Sequence, residues 1–399
     1  MRPSTKPKVI IFSDHLLYPS ETFIYAQSSA LSEFDPIYAG SRRVAGLDFQ
    51  AEHIYTINHG NMGGKIRELA FKIFGVAPAL TKRLHSLNPV LLHAHYGPNG
   101  LRALPLARQL GIPLIVTFHG SDVTIKDLRL QRASIGFRLY VANKDRLKKS
   151  CALFLAVSKF LRGKLLEQGF PEERVLVHYT GVDTKLFRPA STEKSPVILF
   201  VGRFVESKGA EYVIKAAAEV QNHLPATELV LIGEGPLRVG LEKLAKHSLR
   251  RYRFLGRRSS DEVCDWMNRA SVVCVPSVTR LSGEEEAFGM VCAEALAVGK
   301  PVVAFNSGGI PEVVHHESTG LLASEKDWRA LARHLFMLLE NAELRKCFGQ
   351  SGRELVLREF DLKHRTRLLE RIYAEISSTK DTEPKEGELW RDSVINYSS

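Results

Sequence analysis

The chain has 399 residues, 44% of them hydrophobic, so we expect two domains, each large enough for a core of its own. No apolar run approaches the roughly 20 residues that a membrane-spanning helix needs, which excludes an integral membrane protein of the helical type. The five cysteines lack CxxC spacing and the 14 histidines form no HExxH motif. We therefore expect buried thiols in a reducing cytosol, no metal site and no cofactor.

The excess positive charge lies in the first half of the chain. Residues 1–190 contain 26 Lys and Arg against 14 Asp and Glu, a net charge of +12, and residues 191–399 carry −1. Within the first half, Lys126–Lys149 holds eight basic and two acidic residues with apolar residues between them. This pattern is typical of a face that contacts an anionic membrane. A helix face that contacts only solvent explains it equally well.

Nucleic acid is not an expected partner, because the basic segment lies in no recognisable nucleic-acid-binding module. We expect a cytoplasmic protein, either free or peripheral on the inner face of the plasma membrane.

Strands and helices alternate along the first half, which indicates a mostly parallel sheet with helices on its faces. The run Val9–Ser13 is predicted as the first strand rather than as part of a signal peptide. The other predicted strands are Val90–His95, Pro113–His119, Leu153–Ser158 and Arg174–His178, and the predicted helices are Ser20–Leu31, Gly100–Leu110 and Lys159–Gln168.

A polar segment, residues 189–196, has a proline at each end and is predicted as a linker. It separates an N-terminal domain (1–188) from a C-terminal domain (197–360), which is followed by a helix (361–376) and a disordered tail (377–399). After the linker the predicted strands are Val197–Gly202, Glu228–Gly233, Tyr252–Leu255, Val272–Pro276 and Pro301–Phe305. The predicted helices are Glu211–His223, Arg238–Lys246, Asp261–Ala270, Met290–Ala297, Trp328–Glu340, Ala342–Arg358 and Leu362–Ile376.

The most informative motif is GEEEAFGMVCAEALAVGKPVV, residues 283–303, in which Glu286 and Glu294 stand eight residues apart. A bend at Gly289 precedes a helix that starts at Met290. The amides and dipole of a helix N-terminus attract phosphate, and a glycine lets the backbone approach it closely. Glu294 can accept hydrogen bonds from two ribose hydroxyls, and Glu286 can reach a sugar beyond the phosphates. The alternative is a solvated acidic loop before an ordinary core helix.

Other strand ends are expected to meet this motif, because ligands of open parallel sheets bind at the carboxyl ends of the strands. Gly202 and Arg203 end one strand and Lys208 follows, so both cations can reach a diphosphate. The remaining candidates at this rim are Gly233 and Gly235 in a tight turn and Leu255, whose backbone can hold a base.

The first half offers candidates for the opposite side of a cleft between the two sheets. His119 ends a predicted strand in the crevice position, and a satisfied core histidine is the alternative. The candidates on the acceptor side are Ser20, Glu21 and Thr22 at a predicted capped helix start, together with His95 and Asp122.

Five blocks in this order resemble the retaining glycosyltransferases of family 4, which have the GT-B fold. They are TFHGSD, YTGVDTKLFRP, VGRFVESKG, LIGEGP and EEAFGMVCAEALAVGKPVVAFNSGGIPEVV. The segments SETFIYAQ and HAHYGPNGLRALPLA are most similar to bacterial enzymes that build lipopolysaccharide, capsule or exopolysaccharide. The family implies an α/β fold of two Rossmann-like doubly wound domains that face across a cleft, with the last helix crossing back to the first domain.

The resemblance also implies a function: metal-independent transfer of a hexose, with retention, from a nucleoside-diphosphate sugar to a glycan or lipid-linked acceptor. Arg203 and Lys208 would neutralise the donor pyrophosphate. Glu294 would hold the ribose and Glu286 the sugar. The implied catalytic residues are Glu286, His119, Arg203 and Lys208, with donor contacts from Phe288, Gly289, Met290 and Val291. Many members have a Gly-Gly loop after the first strand; residues 13–22 have none, which leaves the acceptor side undefined.

Two other functions stay open at the level of sequence. One is a sugar-nucleotide epimerase of the same fold, which would need no acceptor. The other is a non-catalytic protein that binds nucleotide sugars or nucleic acid.

Overall fold

The strands form two parallel sheets in the computed structural model, which describes residues 6–16, 18, 21–44, 53–190 and 196–378. The first sheet contains β1 (Lys8–Phe12), β2 (His15–Leu16), β3 (Asp35–Arg43), β4 (Ile54–Asn58), β5 (Pro89–His95), β6 (Leu114–Phe118), β7 (Leu153–Ala156) and β8 (Val175–Val177). Its order is β2-β3-β1-β5-β6-β7-β8, and β4 also pairs with β3.

The second sheet has six strands in the order β11-β10-β9-β12-β13-β14. They are β9 (Val197–Val201), β10 (Glu228–Ile232), β11 (Tyr252–Gly256), β12 (Val272–Val275), β13 (Val302–Phe305) and β14 (Gly320–Ala323). Most strands of both sheets are apolar runs buried along their length, as expected for parallel sheets covered by helices on both faces.

Nine helices accompany the first sheet in the described part of the chain. They are α1 (Thr22–Ser29), α2 (Met62–Phe74), α3 (Pro78–His85), α4 (Gly97–Leu110), α5 (Ser121–Thr124), α6 (Asp127–Ala133), α7 (Ile135–Ala142), α8 (Lys144–Ser150) and α9 (Lys159–Glu167). The second half has α10 (Ala210–His223), α11 (Arg238–Ser248), α12 (Ser260–Arg269), α13 (Met290–Ala297), α14 (Trp328–Glu340), α15 (Ala342–Leu355) and α16 (Leu362–Ser378), with a π-helical turn at Val356–Phe360.

The last helix, α16, returns to the first sheet. Glu370 accepts hydrogen bonds from the backbone amides of Ser32, at 2.5 Å, and Glu33, at 2.6 Å. The hydroxyl of Tyr373 lies 2.5 Å from Nδ1 of His93 on β5. Two parallel-sheet domains with a returning helix are the GT-B architecture, so the predicted fold class is confirmed.

Most predicted helices and strands appear within a few residues of their predicted bounds, but ten elements had no predicted counterpart. They are β2, β3, β4 and β14 among the strands and α2, α3, α5, α6, α7 and α8 among the helices. The sequence of β3, DPIYAGSRR, contains a proline and a glycine and ends in two arginines, which hides its strand character. The helix α2 did carry a helical signal, since Met62, Ile66, Leu69 and Ile73 are spaced by four, three and four residues, although Gly63 and Gly64 in its first turn lower its helix propensity.

Other predictions have mixed outcomes. Cys151, Cys264, Cys274 and Cys292 are buried free thiols as expected, whereas Cys347 is exposed. The predicted linker falls between β8 and β9, with residues 191–195 outside the described part of the chain. Residues 379–399 of the predicted tail are also outside it, and the domain boundaries stay a prediction. No helix among the described residues combines the length and the hydropathy that crossing a membrane requires.

We predict that Glu370→Ala lowers the thermal unfolding midpoint, because it removes the acceptor for the amides of Ser32 and Glu33. Ser32 and Glu33 are exposed, so water can replace part of the lost bonding and the cost should be near the net value of an ordinary hydrogen bond, about 0.5–1.5 kcal/mol each. Differential scanning calorimetry measures the effect, with Lys363→Ala, an exposed change on the same helix, as the control. Equal midpoints for the two variants would show that this contact does not hold α16 in place.

Candidate active site

A cavity of about 800 Å³ lies between the two sheets, at the carboxyl ends of their strands. Residues that follow β1 and β6 line it from the N-terminal domain. Residues that follow β9 and β12, together with the segment from Glu284 to Glu294, line it from the C-terminal domain. The predicted cleft is therefore present, and it brings the Glu286–Glu294 motif opposite His119.

The start of α13 has the geometry expected of a phosphate site. Gly289 is the N-cap residue, with φ 92°, a backbone conformation that favours glycine. Met290 and Val291 then supply first-turn amides, which have no partner within the helix itself. The Gly308–Gly309 turn packs behind this segment: the amide of Gly309 donates to the carbonyl of Glu286 at 2.8 Å.

Glu286 is held by a lysine from another part of the domain. Its carboxylate lies 2.5 Å from Nζ of Lys208 and accepts a hydrogen bond from the Ser277 hydroxyl at 3.1 Å. Burial would raise the pKa of Glu286, but Lys208, Ser277 and Arg203 outweigh it and lower the pKa below its ordinary value. Glu286 is therefore an ionised acceptor inside the cavity.

Arg203 is exposed at the end of β9 and lines the cavity beside Lys208. Gly233 and Gly235 lie behind it: a Cβ on Gly233 would come within 1.9 Å of the Gly202 carbonyl. Neither glycine is among the residues that line the cavity, and the same holds for Leu255. In the structure, the two glycines shape the turn that presents Arg203.

Glu294 faces the cavity from the first turns of α13. Burial raises its pKa to about 8, so the carboxyl is mostly protonated at neutral pH. A neutral carboxyl at this place is ready to ionise when a ligand donates hydrogen bonds to it or brings a cation.

His119 lines the cavity from the other domain, among aromatic rings. Its ring centroid is 4.9 Å from that of Phe23 and 4.8 Å from that of Tyr96, and its Nε2 lies 3.0 Å from Nδ1 of His95. Burial, and then His95, hold the pKa of His119 well below its usual value. Burial also lowers the pKa of His95 to about 3. Both rings are thus neutral.

Asp122 and Glu21 bind backbone amides. Asp122 accepts from the amides of Gly97, at 2.8 Å, and Gly120, at 3.1 Å, while its burial raises its pKa to about 6. The carboxylate of Glu21 accepts from the amide of Tyr18 at 3.1 Å, and Glu21, the N-cap residue of α1, makes no side-chain cap, while a cap by Ser20 stays a prediction. Both residues and Thr22 line the cavity. Ser20 lies outside the described residues.

Contacts between the domains hold the cleft in this shape. The Ser158 hydroxyl donates to the carbonyl of Ala287 at 2.6 Å. Glu312 accepts from the amides of Lys159 and Phe160 at the start of α9, at 2.8 and 2.7 Å, and from the Tyr179 hydroxyl at 2.9 Å. A carboxylate at a helix N-terminus is favourable because of the helix dipole.

Sequence reasoning missed several of these residues. Ser277, the second partner of Glu286, carried a signal, since it follows the end of β12. Asp14 and Arg102 also line the cavity, joined by a 3.0 Å ion pair, and Asp14 likewise follows a strand end. The Glu312 contacts join residues more than 130 positions apart and had no local signal.

Comparison with known protein families agrees with the geometry. The model of group 1 glycosyl transferases matches residues 182–355, and the model of glycosyltransferase family 4 matches residues 37–186. An uncharacterized glycosyltransferase of Methanocaldococcus jannaschii is 32% identical over 289 residues, which are 72% of this chain and 76% of that protein. The chain belongs to the group 1 glycosyltransferases.

Two further similarities concern a relative and a solved structure. The putative colanic acid biosynthesis glycosyltransferase WcaL of Escherichia coli is 32% identical, covering 63% of this chain and 62% of that protein. The structure of HepE from Anabaena in complex with UDP-glucose matches with a TM-score of 0.73 and 18% identity, over 92% of this chain and 99% of that one. The similarity to the HepE structure supports the GT-B fold. This glycosyltransferase is an enzyme, which sets aside the non-catalytic alternative.

We predict that Glu294 makes stability depend on pH. The folded carboxyl keeps its proton up to about pH 8, whereas the ordinary pKa is 4.5. Folding therefore takes up a proton in this window, and the contribution of Glu294 to the free energy of unfolding falls as pH rises, by at most about 1.4 kcal/mol per pH unit. Denaturant titrations of wild type and Glu294→Gln across this window measure it.

The Glu294→Gln variant should gain stability relative to wild type as pH rises from the ordinary pKa of 4.5 to about 8. Glu354→Gln, a change of an exposed glutamate on α15, is the control and should follow the wild type. Parallel curves for wild type and Glu294→Gln would contradict the raised pKa.

Proposed function

We propose that this glycosyltransferase moves a sugar, with retention, from a nucleoside-diphosphate sugar to a glycan or lipid-linked acceptor in the synthesis of a cell-surface polysaccharide. Residues 197–360 are assigned to the donor and residues 1–188 to the acceptor, with residues 361–376 returning to the first domain. The convergence of Arg203, Lys208, the start of α13 and both motif glutamates on one cavity carries the proposal.

The donor would lie along α13, from Glu294 to Glu286. The ribose hydroxyls would donate to Glu294, and the pyrophosphate would meet the first amides of the helix. Arg203 and Lys208 supply the positive charge on the same side. Because Lys208 has three N–H donors, it can bind a phosphate oxygen while keeping its contact with Glu286.

The chemistry needs stabilisation of a leaving group. When the bond from the anomeric carbon to the phosphate oxygen breaks, its electron pair goes to the diphosphate, where preorganised cations and amides lower the barrier. The acceptor hydroxyl then bonds to the anomeric carbon from the same face, inside the ion pair, and its proton passes to the departing phosphate oxygen. Glu286 orients the sugar, and His119 offers a hydrogen bond to it. Because the His119 ring is neutral, it does not compete with Arg203 and Lys208 for the diphosphate.

The acceptor would enter on the side of Glu21, Thr22 and Asp122, across the cavity from the donor. The similarity to WcaL favours a polysaccharide precursor as the acceptor. A thermal-shift screen of UDP-, GDP- and ADP-sugars would identify the donor, because a ligand of the native state raises the unfolding temperature.

We predict that Glu286→Gln lowers the rate of sugar transfer at least about 100-fold while the donor nucleotide still binds. The reason is that an amide keeps the shape of the side chain but cannot stabilise positive charge at the anomeric carbon. Turnover with the donor found in the screen measures transfer, and calorimetric titration with the nucleoside diphosphate measures binding.

Two other variants complete this experiment. Lys208→Met should weaken binding of the nucleoside diphosphate, because it removes a phosphate partner, and Glu206→Gln, an exposed change on the same loop, should leave transfer unchanged. Wild-type turnover by Glu286→Gln would contradict the assignment. Conversion of the donor to an isomer without any acceptor would favour the epimerase instead.

The proposed location is the surface of an anionic membrane, with residues 126–149 facing it. In the structure this segment spans α6, α7 and α8, and Leu128, Ile135 and Leu139 are exposed among the basic residues. Lys144 is buried and binds Asp127 at 2.7 Å, so it is not part of this face. The exposed basic residues of the face are Lys126, Arg129, Arg132, Arg138, Arg146 and Lys149.

We predict that changing Arg129, Arg132 and Arg138 together to Gln weakens binding to vesicles that contain phosphatidylglycerol about 100-fold or more. Each basic residue near an anionic surface contributes about 1 kcal/mol. Sedimentation with vesicles measures binding. The same changes at Lys243, Lys246 and Arg333, exposed on the C-terminal domain, should have little effect. Equal losses from both sets would mean that net charge alone, and not this face, sets the binding.

A further inference from the structure

His95 and His119 share a hydrogen bond at the wall of the cavity. Nδ1 of His95 lies 3.0 Å from Nε2 of His119, and the two ring centroids are 5.2 Å apart with their planes 24° from parallel. This centroid distance is what two rings give when their facing nitrogens point straight at each other, the linear geometry that a hydrogen bond prefers. The contact is therefore a direct N–H···N bond between two rings that lie edge to edge.

Only one of the two facing nitrogens carries a proton, because both rings are neutral and a neutral imidazole has one N–H and one bare nitrogen. If the proton is on His95, then Nε2 of His119 accepts it and His119 keeps its own proton on Nδ1. Since Nε2 of His119 is turned to His95, Nδ1 is the ring nitrogen left for a ligand in the cavity. The position of the shared proton thus decides whether His119 donates to that ligand or accepts from it.

The other nitrogen of His95 favours one of these two arrangements. His95 is 2% exposed, and none of the described residues bonds to its Nε2. A proton on Nε2 would be a buried donor without an acceptor, which is rarer in proteins than an acceptor that is not fully used. A proton on Nδ1 of His95 is satisfied by His119. The surroundings of His95 therefore favour the proton on its Nδ1.

The ring of His95 is held in this orientation by His93. The two side chains leave the same face of β5, and their ring centroids are 4.4 Å apart. His93 is itself bonded at both nitrogens, to the Tyr373 hydroxyl of α16 at 2.5 Å and to the Thr117 hydroxyl of β6 at 2.7 Å. A ring bonded at both nitrogens restricts the rotation of the ring packed against it. The support for His95 thus extends to the helix that returns from the C-terminal domain.

The backbone that follows His95 is strained. Tyr96 has φ 71° and ψ 141°, a conformation that residues with a side chain rarely adopt. Its amide donates to the carbonyl of Thr117 at 2.8 Å, and its carbonyl accepts from the amide of Gly100 at 3.0 Å. Such strain persists only where the surrounding structure imposes it, and it is concentrated at functional sites. Here it places the Tyr96 ring 4.8 Å from that of His119, so His119 is packed on its face while His95 bonds its edge.

We propose that His95 is a positioning residue whose Nδ1–H donates to Nε2 of His119, which keeps the His119 proton on Nδ1 and makes His119 a hydrogen-bond donor towards the cavity. The ligand group that fits such a donor is an oxygen acceptor, here a hydroxyl oxygen of the donor sugar. The identity of that ligand rests on the proposed function, whereas the positions of the two protons do not.

The proton positions can be read in the wild type. Long-range proton–nitrogen correlation spectra of protein labelled with ¹⁵N-histidine distinguish a proton on Nδ1 from a proton on Nε2. The variants His95→Asn and His119→Asn assign the signals by their loss. Without any substrate, we expect both histidines to be protonated at Nδ1. A His119 ring protonated at Nε2, or one that exchanges between the two tautomers, would overturn the proposal.

Variants of His95 separate positioning from a structural role. His95→Asn keeps an N–H donor near the place of Nδ1, so sugar transfer should stay within about twofold of wild type. His95→Leu removes the donor, so transfer should fall about three- to tenfold, the range of one net hydrogen bond. Both variants should bind the nucleoside diphosphate, which has no sugar, as wild type does. His85→Leu, a change of an exposed histidine in the same domain, is the control and should leave transfer unchanged.

A third variant reverses the bond. His95→Asp offers only an acceptor when ionised, so it should place a proton on Nε2 of His119 in the spectra. Equal transfer by the Asn and Leu variants would overturn the proposal. So would a Leu variant that loses binding of the nucleoside diphosphate as strongly as it loses transfer, because His95 would then only hold the fold.

Failure of this inference and failure of the proposed function are distinguishable, because the spectra need no turnover. A wild type with His119 protonated at Nδ1 that transfers no sugar supports the role of His95 and contradicts the function. A wild type that transfers sugar with His119 protonated at Nε2 does the reverse.

Discussion

The ion pair between Lys208 and Glu286 is the interaction on which the site depends. It joins the loop after β9 to the segment before α13, and its two residues are 78 positions apart in sequence. Ion pairs shielded from water are favourable only when hydrogen bonds satisfy the charges, and Ser277 supplies one here. The pair fixes a cation beside the start of α13 before any substrate arrives, so little reorganisation is needed when negative charge develops there.

The site also depends on close packing between the two domains. The rings of Tyr179, Phe288 and Phe360 pack together, with centroids 5.2 to 5.9 Å apart, directly behind the motif. Glu312 reaches from the C-terminal domain to the start of α9. These contacts bring His119 and its aromatic neighbours opposite Glu286, so the cavity has walls from both domains. A donor held on one wall and an acceptor on the other would meet inside it, shielded from water.

The fold and the donor motif were predictable because their signals are local. Glu286, Gly289 and Glu294 lie within nine residues, and the start of a helix follows from the sequence around Gly289. The contacts that complete the site are not local, since Ser158 meets Ala287 across 129 positions. The helix α2 is a different case: the helical spacing of Met62, Ile66, Leu69 and Ile73 could have predicted the helix, but not that this side faces solvent while Phe71 is buried.

A structure of the complex with the donor nucleoside diphosphate would test the position of the donor along α13 most directly. We predict that the ribose hydroxyls bind Glu294 and that the pyrophosphate lies against the first amides of α13, between Arg203 and Lys208. With the intact donor, the sugar would contact Glu286. A nucleotide bound against the N-terminal sheet, or a ribose away from Glu294, would contradict the account.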